Sequence, residues 1–213
     1  MARIAVIGGT GYAGGHIVKE AADRGHTVVS VARKVPAQRV PGVTYVEGSL
    51  LDIPGLLAEL QGVDAIILAV APRGDMAGKV RPAVAELVAE LPQGVRLGVI
   101  GGAGGSLVAE GGPRLVDAGQ FPEDFKPEAL EAIGVLDDLL EAPESVDWFF
   151  VHPAAGFGGF APGERTGHYR TGGDILVSDE QGESYISGED FAIAMIDEIE
   201  TPKHRRARFT VGY

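Results

Sequence analysis

The sequence predicts an α/β protein built on a doubly wound parallel sheet. Short apolar runs of strand length alternate with segments of helical periodicity as far as residue 151. The first apolar run, residues 3–7, leads directly into a glycine-rich turn and then into a helical segment. A length of 213 residues suits one domain with a sizeable buried core. We therefore expect a single domain over residues 1–213, with a small elaboration at its C-terminal end, where the alternation loosens.

The glycine-rich turn occupies residues 8–15 and has the spacing Gly-x-x-Gly-x-x-Gly. Gly8 can adopt a backbone conformation that is closed to other residues, so the chain can leave the strand in a tight turn. Gly11 has no side chain to keep the backbone away from a pyrophosphate, and Gly14 lets the helix pack closely on the strand. The helix N-terminus then presents free N–H groups to the phosphates. The turn predicts a dinucleotide site, and an ordinary tight turn between strand and helix is the alternative.

The end of the second predicted strand, residues 27–32, indicates which dinucleotide binds. Arg33 and Lys34 follow this strand directly, at the position that meets the adenosine ribose in this class of fold. A carboxylate there would hold the two ribose hydroxyls and repel a 2′-phosphate. Because two cations and no acid are present, the sequence favours NADP(H), and a pair of exposed surface charges is the alternative.

The remaining elements up to residue 151 follow from periodicity. Asp52 is the predicted N-cap of a short helix that carries Pro54 in its first turn. The residues predicted to face inward from the last helix of this region are Leu130, Ile133, Leu136 and Leu140. The predicted strands cover residues 43–46, 63–70, 95–100 and 146–151, and the predicted helices cover residues 53–60, 76–91 and 123–141.

Two irregular regions interrupt the alternation. A second glycine-rich loop, residues 101–106, opens a span that reaches about Pro122 and is long enough to cover an active site. Beyond residue 151, two short apolar segments bracket a polar turn at residues 179–182 and predict a hairpin-like pair. Ser187 predicts the N-cap of a helix that ends at residue 200. The two apolar segments are residues 175–177 and 184–186, and a final strand is predicted over residues 208–211.

Composition excludes several classes of function. The net charge of −12 argues against nucleic acid and anionic membranes as partners, although a pocket for an anionic cofactor can still be locally positive. The chain has no cysteine, which excludes disulfides and thiolate chemistry, and its histidines show no metal-ligand spacing. No apolar run approaches the roughly 18 residues that span a membrane, and the N-terminus lacks the parts of a signal peptide. We expect a cytoplasmic protein with no metal site.

These residues resemble a known family, the atypical short-chain dehydrogenase/reductase group of NAD(P)H-binding, NADH-flavin-reductase-like proteins, whose wider group includes biliverdin reductase B. The resemblance covers nearly the whole chain and implies a Rossmann fold with NADP(H) as cofactor. The features that carry it are the glycine turn, Arg33, residues 101–103 after the predicted strand 95–100, residues 153–154 after the predicted strand 146–151, residues 125–129 and residues 208–213.

The resemblance also implies which residues contact the cofactor. Ser49 departs from the family, because relatives usually carry an acid there to read adenine. The implied contacts are Gly8, Thr10, Gly11, Tyr12, Ala13 and Gly14 around the pyrophosphate, Arg33 at the 2′-phosphate, Ser49 and Leu50 at adenine, Ala69, Val70 and Ala71 on the adenosine side, and Gly101, Gly102, Pro153, Ala154 and Ala155 near the nicotinamide.

One absence indicates the kind of reaction. Typical short-chain dehydrogenases use Tyr-x-x-x-Lys to donate a proton, and none of the five tyrosines here has a lysine four residues later. Hydride transfer to a flavin needs mainly stacking and orientation, because the cofactor carries the chemistry. The sequence therefore predicts an NADPH-dependent oxidoreductase for a flavin or similar planar acceptor, acting as a monomer or weak homodimer.

Two residues are candidate catalytic groups. Lys126 opens a predicted helix beside the expected pocket, where it could touch the ribose or donate a proton, and an ordinary surface lysine is the alternative. His152 follows strand six and could donate a proton to the acceptor, while a satisfied structural histidine is the alternative. Two other functions remain open. One is an NADP(H)-sensing binding protein without turnover, and the other is an atypical carbonyl reductase or epimerase that uses Lys126 or His152.

Overall fold

The computed structural model describes residues 1–119 and 121–213 and confirms the predicted doubly wound sheet. Within these residues one sheet of eight strands is flanked by five α-helices. The strands are β1 Arg3–Ile7, β2 Thr27–Ala32, β3 Thr44–Glu47, β4 Ala65–Leu68, β5 Arg96–Ile100, β6 Trp148–Pro153, β7 Arg170–Thr171 and β8 Ala207–Gly212. The helices are α1 Tyr12–Asp23, α2 Ile53–Glu59, α3 Val80–Glu90, α4 Lys126–Leu140 and α5 Gly188–Glu200.

The strand order places a reversal in the direction of winding at the centre of the sheet. The order is β3-β2-β1-β4-β5-β6-β8-β7, and every neighbouring pair is parallel except β7 with β8. The chain runs outward from β1 to β3 and then returns to the other side of β1 with β4, so the direction of winding reverses between β1 and β4. Ligands of open parallel sheets bind outside the carboxyl ends of the strands at this reversal.

Both faces of the sheet are buried, which explains the continuous apolar runs. On β1, Ile4 and Val6 face one layer, while Ala5 and Ile7 face the other. Helices α1 and α5 cover the first face, and α2, α3 and α4 cover the second. Asp52 and Ser187 are confirmed as N-caps, since their side chains accept hydrogen bonds from the backbone N–H groups three residues on.

Two predicted helices begin later than the sequence pattern indicates. The helix predicted from residue 76 begins at Val80, because Gly78 has a φ of +74° and interrupts the chain after a short 3₁₀ turn. The helix predicted from residue 123 likewise begins at Lys126 after a 3₁₀ turn.

The buried face of α4 differs from the prediction. Leu130 and Leu140 were expected to face inward but are 55% and 53% exposed. The layer beneath α4 is the loop after β5, where a Cβ on Gly104 would lie 2.8 Å from the Ala129 Cβ. The buried residues of α4 are Ala129, Ile133, Gly134, Val135, Leu136 and Leu139, so the predictions for Ile133 and Leu136 are confirmed.

The hairpin predicted near the C-terminus is wrong. The turn itself forms, because the Asp179 carboxylate accepts hydrogen bonds from two backbone N–H groups that follow it. Its flanking segments do not pair with each other. Ile175 bridges to Leu107 after β5, and Tyr185 bridges to Gly156 after β6. The C-terminal elaboration therefore joins the two loops that leave the sheet at its carboxyl edge. Among the described residues, no helix is both long and apolar enough to cross a membrane.

Candidate functional site: the carboxyl edge of the sheet

The glycine turn after β1 has the conformation that the spacing predicts. Gly8 has a φ of +85°, which is the left-handed region that favours glycine. A Cβ on Gly14 would lie only 2.2 Å from the carbonyl oxygen of Gly8, so α1 packs directly on the turn. Gly11 is the N-cap residue of α1 and has no side chain to occupy the space above the helix end. The predicted conformational roles of Gly8 and Gly14 are thus confirmed.

The start of α1 presents unpaired backbone donors. The N–H of Gly11 donates to the carbonyl of Gly8 at 3.0 Å, and the N–H of Gly15 donates to the carbonyl of Gly11 at 2.8 Å. Between them, the amides of residues 12–14 have no acceptor within the described chain. The first turn of α1 also carries no acidic side chain that would repel an anion. Free N–H groups at the positive end of a helix fit the pyrophosphate of a dinucleotide.

The adenosine side contains an acid that the local sequence does not show. Arg33 and Lys34 follow β2, as predicted, and both are exposed, so their role toward a cofactor stays a prediction. The guanidinium of Arg33 lies 3.4 Å from the Asp75 carboxylate, and the two side chains are 66% and 88% exposed. Asp75 belongs to the 3₁₀ turn after β4 and stands 42 residues away in the chain. No pattern near Arg33 could have indicated this partner.

The other predicted adenosine contacts lie after β3 and β4. The hydroxyl of Ser49 accepts a hydrogen bond from the N–H of Leu51, whereas Leu50 is buried in the core. Val70 packs against the glycine turn, because a Cβ on Gly8 would lie 3.1 Å from its side chain. The predicted cofactor residues on this side, together with the glycine turn, all follow carboxyl ends of parallel strands: Gly8, Thr10, Gly11, Tyr12, Ala13, Gly14, Arg33, Lys34, Ser49, Leu50, Ala69, Val70 and Ala71.

The predicted nicotinamide side consists of the loops after β5 and β6. Gly101 has no space for a side chain, because its Cβ would lie 2.1 Å from the Phe150 ring. Gly102, in contrast, has nothing within 4 Å of a Cβ and borders open space. Pro153 and Ala154 are buried at the end of β6, and the following Ala155 is exposed. The edge thus offers an open backbone surface of small residues.

His152 lies beneath this surface rather than on it. The side chain is 1% exposed, and its Nδ1 lies 2.8 Å from the carbonyl oxygen of Gly102. Burial lowers the pKa of His152 to about 4, so the ring is neutral near neutral pH. In this state Nδ1–H donates to Gly102, and Nε2 has no partner among the described residues. The geometry favours the structural interpretation of His152, in which the histidine holds the Gly102 loop in place.

Lys126 begins α4, as the sequence predicts. Its ammonium forms an ion pair with the Glu123 carboxylate at 2.5 Å, and its side chain is 35% exposed. Glu123 stands in the 3₁₀ turn that precedes α4. Lys126 is therefore held by a neighbour on its own segment, and its role toward a ribose or an acceptor stays a prediction.

An aromatic layer beside the glycine turn was not predicted. The Phe157 ring lies 5.4 Å from the Tyr12 ring and 4.5 Å from the Phe191 ring, measured between centroids. The hydroxyl of Tyr12 donates to the carbonyl oxygen of Pro162 at 3.3 Å, and burial raises its pKa. The segment after β6 therefore folds back onto the first turn of α1. The signal that could have indicated this contact from sequence is the pair of aromatic residues, Phe157 and Phe160, among glycines and alanines.

Comparison with known proteins identifies the family. The model of the NAD(P)H-binding family matches residues 8–202. The uncharacterized protein YwnB of Bacillus subtilis is 35% identical over 212 residues, which cover 98% of this chain and 97% of YwnB.

Solved structures agree with this assignment. A "putative NADH-flavin reductase" from Streptococcus pneumoniae is 33% identical with a TM-score of 0.87, and the match covers 100% of this chain and 99% of that one. A "putative epimerase" from Bacteroides thetaiotaomicron is 36% identical with a TM-score of 0.87, and the match covers 100% and 97%. A "putative exported protein" from Burkholderia pseudomallei is 38% identical with a TM-score of 0.86, and the match covers both chains fully. The chain with the glycine turn and open carboxyl edge described above belongs to the NAD(P)H-binding family of oxidoreductase-like proteins.

Proposed function

We propose that this protein is an NADPH-dependent oxidoreductase that reduces a flavin or a similar planar acceptor by direct hydride transfer. The observation that carries the proposal is a dinucleotide cradle at the carboxyl edge without a proton-donating pair beside it. The free amides of residues 12–14 provide the cradle. The Tyr-x-x-x-Lys pair is missing, and His152 is buried and neutral.

Each part of the edge has a role in this proposal. The amides of residues 12–14 hold the pyrophosphate, and Arg33 and Lys34 hold the 2′-phosphate. The loop that His152 fixes at Gly102 borders the nicotinamide half. The reduced nicotinamide, when bound, supplies a hydride, which is two electrons and one proton.

The acceptor completes its reduction without help from the chain. A reduced flavin takes its second proton from water through an exposed ring nitrogen, so no side chain has to donate one. A ketone differs, because its developing alkoxide needs a positioned acid. The name of the Streptococcus pneumoniae structure supports the flavin, and the name of the Bacteroides thetaiotaomicron structure supports an epimerase as the second candidate.

A panel of acceptors tests the proposal. We expect NADPH absorbance to fall when FMN, riboflavin or a quinone is added, and to stay constant with simple ketones. Tight NADPH binding without oxidation by any acceptor would instead identify a cofactor sensor. Oxidation by ketones alone, or epimerisation of a sugar nucleotide at constant NADP⁺, would overturn the flavin assignment.

A further inference from the structure

The segment after β6 presents an exposed aromatic side chain on a tight turn. The N–H of Ala161 donates to the carbonyl oxygen of Gly158 at 3.0 Å and closes the turn. Phe160 stands in this turn and is 78% exposed, more than any other large apolar residue of the described chain except Met1. Exposing a whole phenylalanine side chain forgoes the free energy of its burial, so such a residue calls for an explanation.

The turn is held firmly on two sides. The Tyr12 hydroxyl donates to the carbonyl oxygen of Pro162, and the Tyr185 hydroxyl donates to the carbonyl oxygen of Ala161 at 3.2 Å. Below the turn, Phe157 packs against the fully buried Phe191 of α5. Phe160 is therefore an exposed ring on a fixed support, which lowers the entropic cost of binding a ligand to it.

The ring of Phe160 also has a defined position, against the backbone of Gly158. A Cβ on Gly158 would lie 2.6 Å from the Phe160 ring, so the bare glycine allows the ring to lie close to the backbone. Planar aromatic faces bind other planar rings by offset stacking. The turn lies near the predicted nicotinamide side and the glycine turn, because it follows Ala155 in the chain and is bonded to Tyr12 in the first turn of α1.

We propose that Phe160 binds the acceptor by stacking on its planar ring system. This inference rests on the proposed function, which places the acceptor beside the nicotinamide half of the edge. The ligand class is a fused-ring acceptor of the isoalloxazine type. Phe160 is thus a specificity-determining residue that separates planar acceptors from small aliphatic ones.

A binding experiment tests this without turnover. Protein saturated with NADP⁺, which has no hydride to give, is titrated with riboflavin while the flavin fluorescence is followed. We expect Phe160→Ala to weaken riboflavin binding about five- to tenfold, the size of an aromatic stacking contact. Phe160→Trp should retain the affinity. Leu140→Ala is the matched control, because Leu140 is also a large apolar residue that is exposed (53%), and it lies at the C-terminal end of α4. The NADP⁺ affinity and the melting temperature of Phe160→Ala should equal those of the wild type, since the side chain lies outside the core.

The outcomes separate the two proposals. Equal riboflavin affinity in the wild type and Phe160→Ala would overturn the stacking contact. It would not affect the proposed reaction, which the oxidation of NADPH by the acceptor panel tests separately. Riboflavin binding that depends on Phe160 but leads to no NADPH oxidation would overturn the reaction and keep the contact. No binding of riboflavin by the wild type would overturn the stacking contact outright.

Discussion

We expect single charges at the carboxyl edge to decide which cofactor binds. Arg33 can grip a 2′-phosphate through two parallel hydrogen bonds, and charge-assisted bonds of this kind contribute about 1.5–3 kcal/mol. Asp75 lies beside the same guanidinium and would repel that phosphate. The preference for NADPH that we propose therefore depends on two opposing groups, of which the sequence near β2 shows one.

We expect the wild type to prefer NADPH over NADH by about ten- to a hundredfold in kcat/KM. Arg33→Ala should reduce this ratio without abolishing it, because Lys34 remains. Asp75→Asn should raise it by about twofold to fivefold, a modest change because the pair is exposed and screened. The ratio is measured with one acceptor at fixed salt. An Arg33→Ala variant with its full preference, or a wild type that prefers NADH, would contradict the assignment.

The pyrophosphate position is tested at Gly11. This residue has a φ of −75°, which any residue adopts, and it is exposed. A Cβ there would lie 3.3 Å from the carbonyl oxygen of Gly8, so Gly11→Val should fold after a small local shift. Its branched side chain would stand where the phosphates approach the free amides, and NADP(H) affinity should fall by at least about tenfold, or ~1.4 kcal/mol. Calorimetric titration measures this. Unchanged affinity in the folded variant would remove the glycine turn from the cofactor site.

The buried His152 makes stability depend on pH. Its pKa is about 4 in the folded protein against an ordinary 6.5, so the unfolded chain binds the proton more tightly. The stabilisation is therefore complete above the unfolded pKa and is lost as the pH falls toward the folded pKa. Arg208 and Arg114 lower the pKa of His152 further, and Asp174 opposes them.

Between about pH 7 and pH 5 we expect the His152 contribution to unfolding free energy to fall by about 2 kcal/mol. His152→Asn should remove that part of the slope, while its amide can still donate to Gly102. His168→Asn, at an exposed histidine, is the control. Urea unfolding at several pH values measures the slope. Identical slopes in the wild type and His152→Asn would show that His152 is accessible to protons in the folded state.

In helix α1, the neighbouring residues Gly14 and Gly15 have different effects on stability. Gly14 faces the turn, where a Cβ would lie 2.2 Å from a backbone oxygen that cannot move aside. Gly15 faces away, and a Cβ there would make an ordinary contact at 3.9 Å with the carbonyl oxygen of Gly9. The first glycine is required by packing, and the second weakens the helix.

Alanine at these two positions should therefore shift stability in opposite directions. Gly14→Ala should lower the unfolding free energy by about 2 kcal/mol or more, since the helix must move off the strand. Gly15→Ala should raise it by about 0.5–1 kcal/mol through helix propensity. Urea unfolding of both variants measures the difference. A Gly14→Ala protein as stable as the wild type would show that α1 does not pack on the turn as described.

At the scale of the whole molecule, a buried carboxylate of α5 links the segment after β6 to Tyr213. Asp190 of α5 is 0% exposed and accepts hydrogen bonds from the N–H and hydroxyl of Thr166, the N–H of Gly167 and, at 2.5 Å, the hydroxyl of Tyr213. Burial opposes the charge, but these bonds outweigh it and lower the pKa of Asp190. The network holds the segment that carries Phe160 against α5 and the end of β8.

Tyr213→Phe removes the bond to Asp190 and the hydrogen bonds between the Tyr213 hydroxyl and Ser187. It should lower the unfolding free energy by at least about 1.5–3 kcal/mol, the range for the bond to the charged group alone. Tyr185→Phe is the matched control, because its hydroxyl donates to a neutral carbonyl. It should cost about 1 kcal/mol or less. Thermal and urea unfolding compare the two. An equal effect of both substitutions would show that the charge of Asp190 does not strengthen its hydrogen bond with Tyr213.

Local sequence was sufficient to predict the sheet, most element boundaries, both N-caps and the conformation of the glycine turn. These features depend on periodicity and on neighbouring residues, because strand and helix repeats, N-caps and a positive φ act within a few residues. The family resemblance extended this to the residues of the carboxyl edge. The start of α3 was misplaced because the apolar pattern continues through Gly78, whereas the backbone does not.

Long-range packing alone set the remaining features. The pairing of Arg33 with Asp75, the burial of His152 beneath Gly102 and the fixing of the Phe160 turn by Tyr12 all join residues at least 42 positions apart. The face of α4 and the bridges of Ile175 and Tyr185 depend in the same way on which loop lies underneath. Such contacts have no local period, since they arise where separate elements meet at one edge of a sheet. The sequence therefore predicts where a cofactor binds, and the packing around that edge decides which groups surround the predicted site.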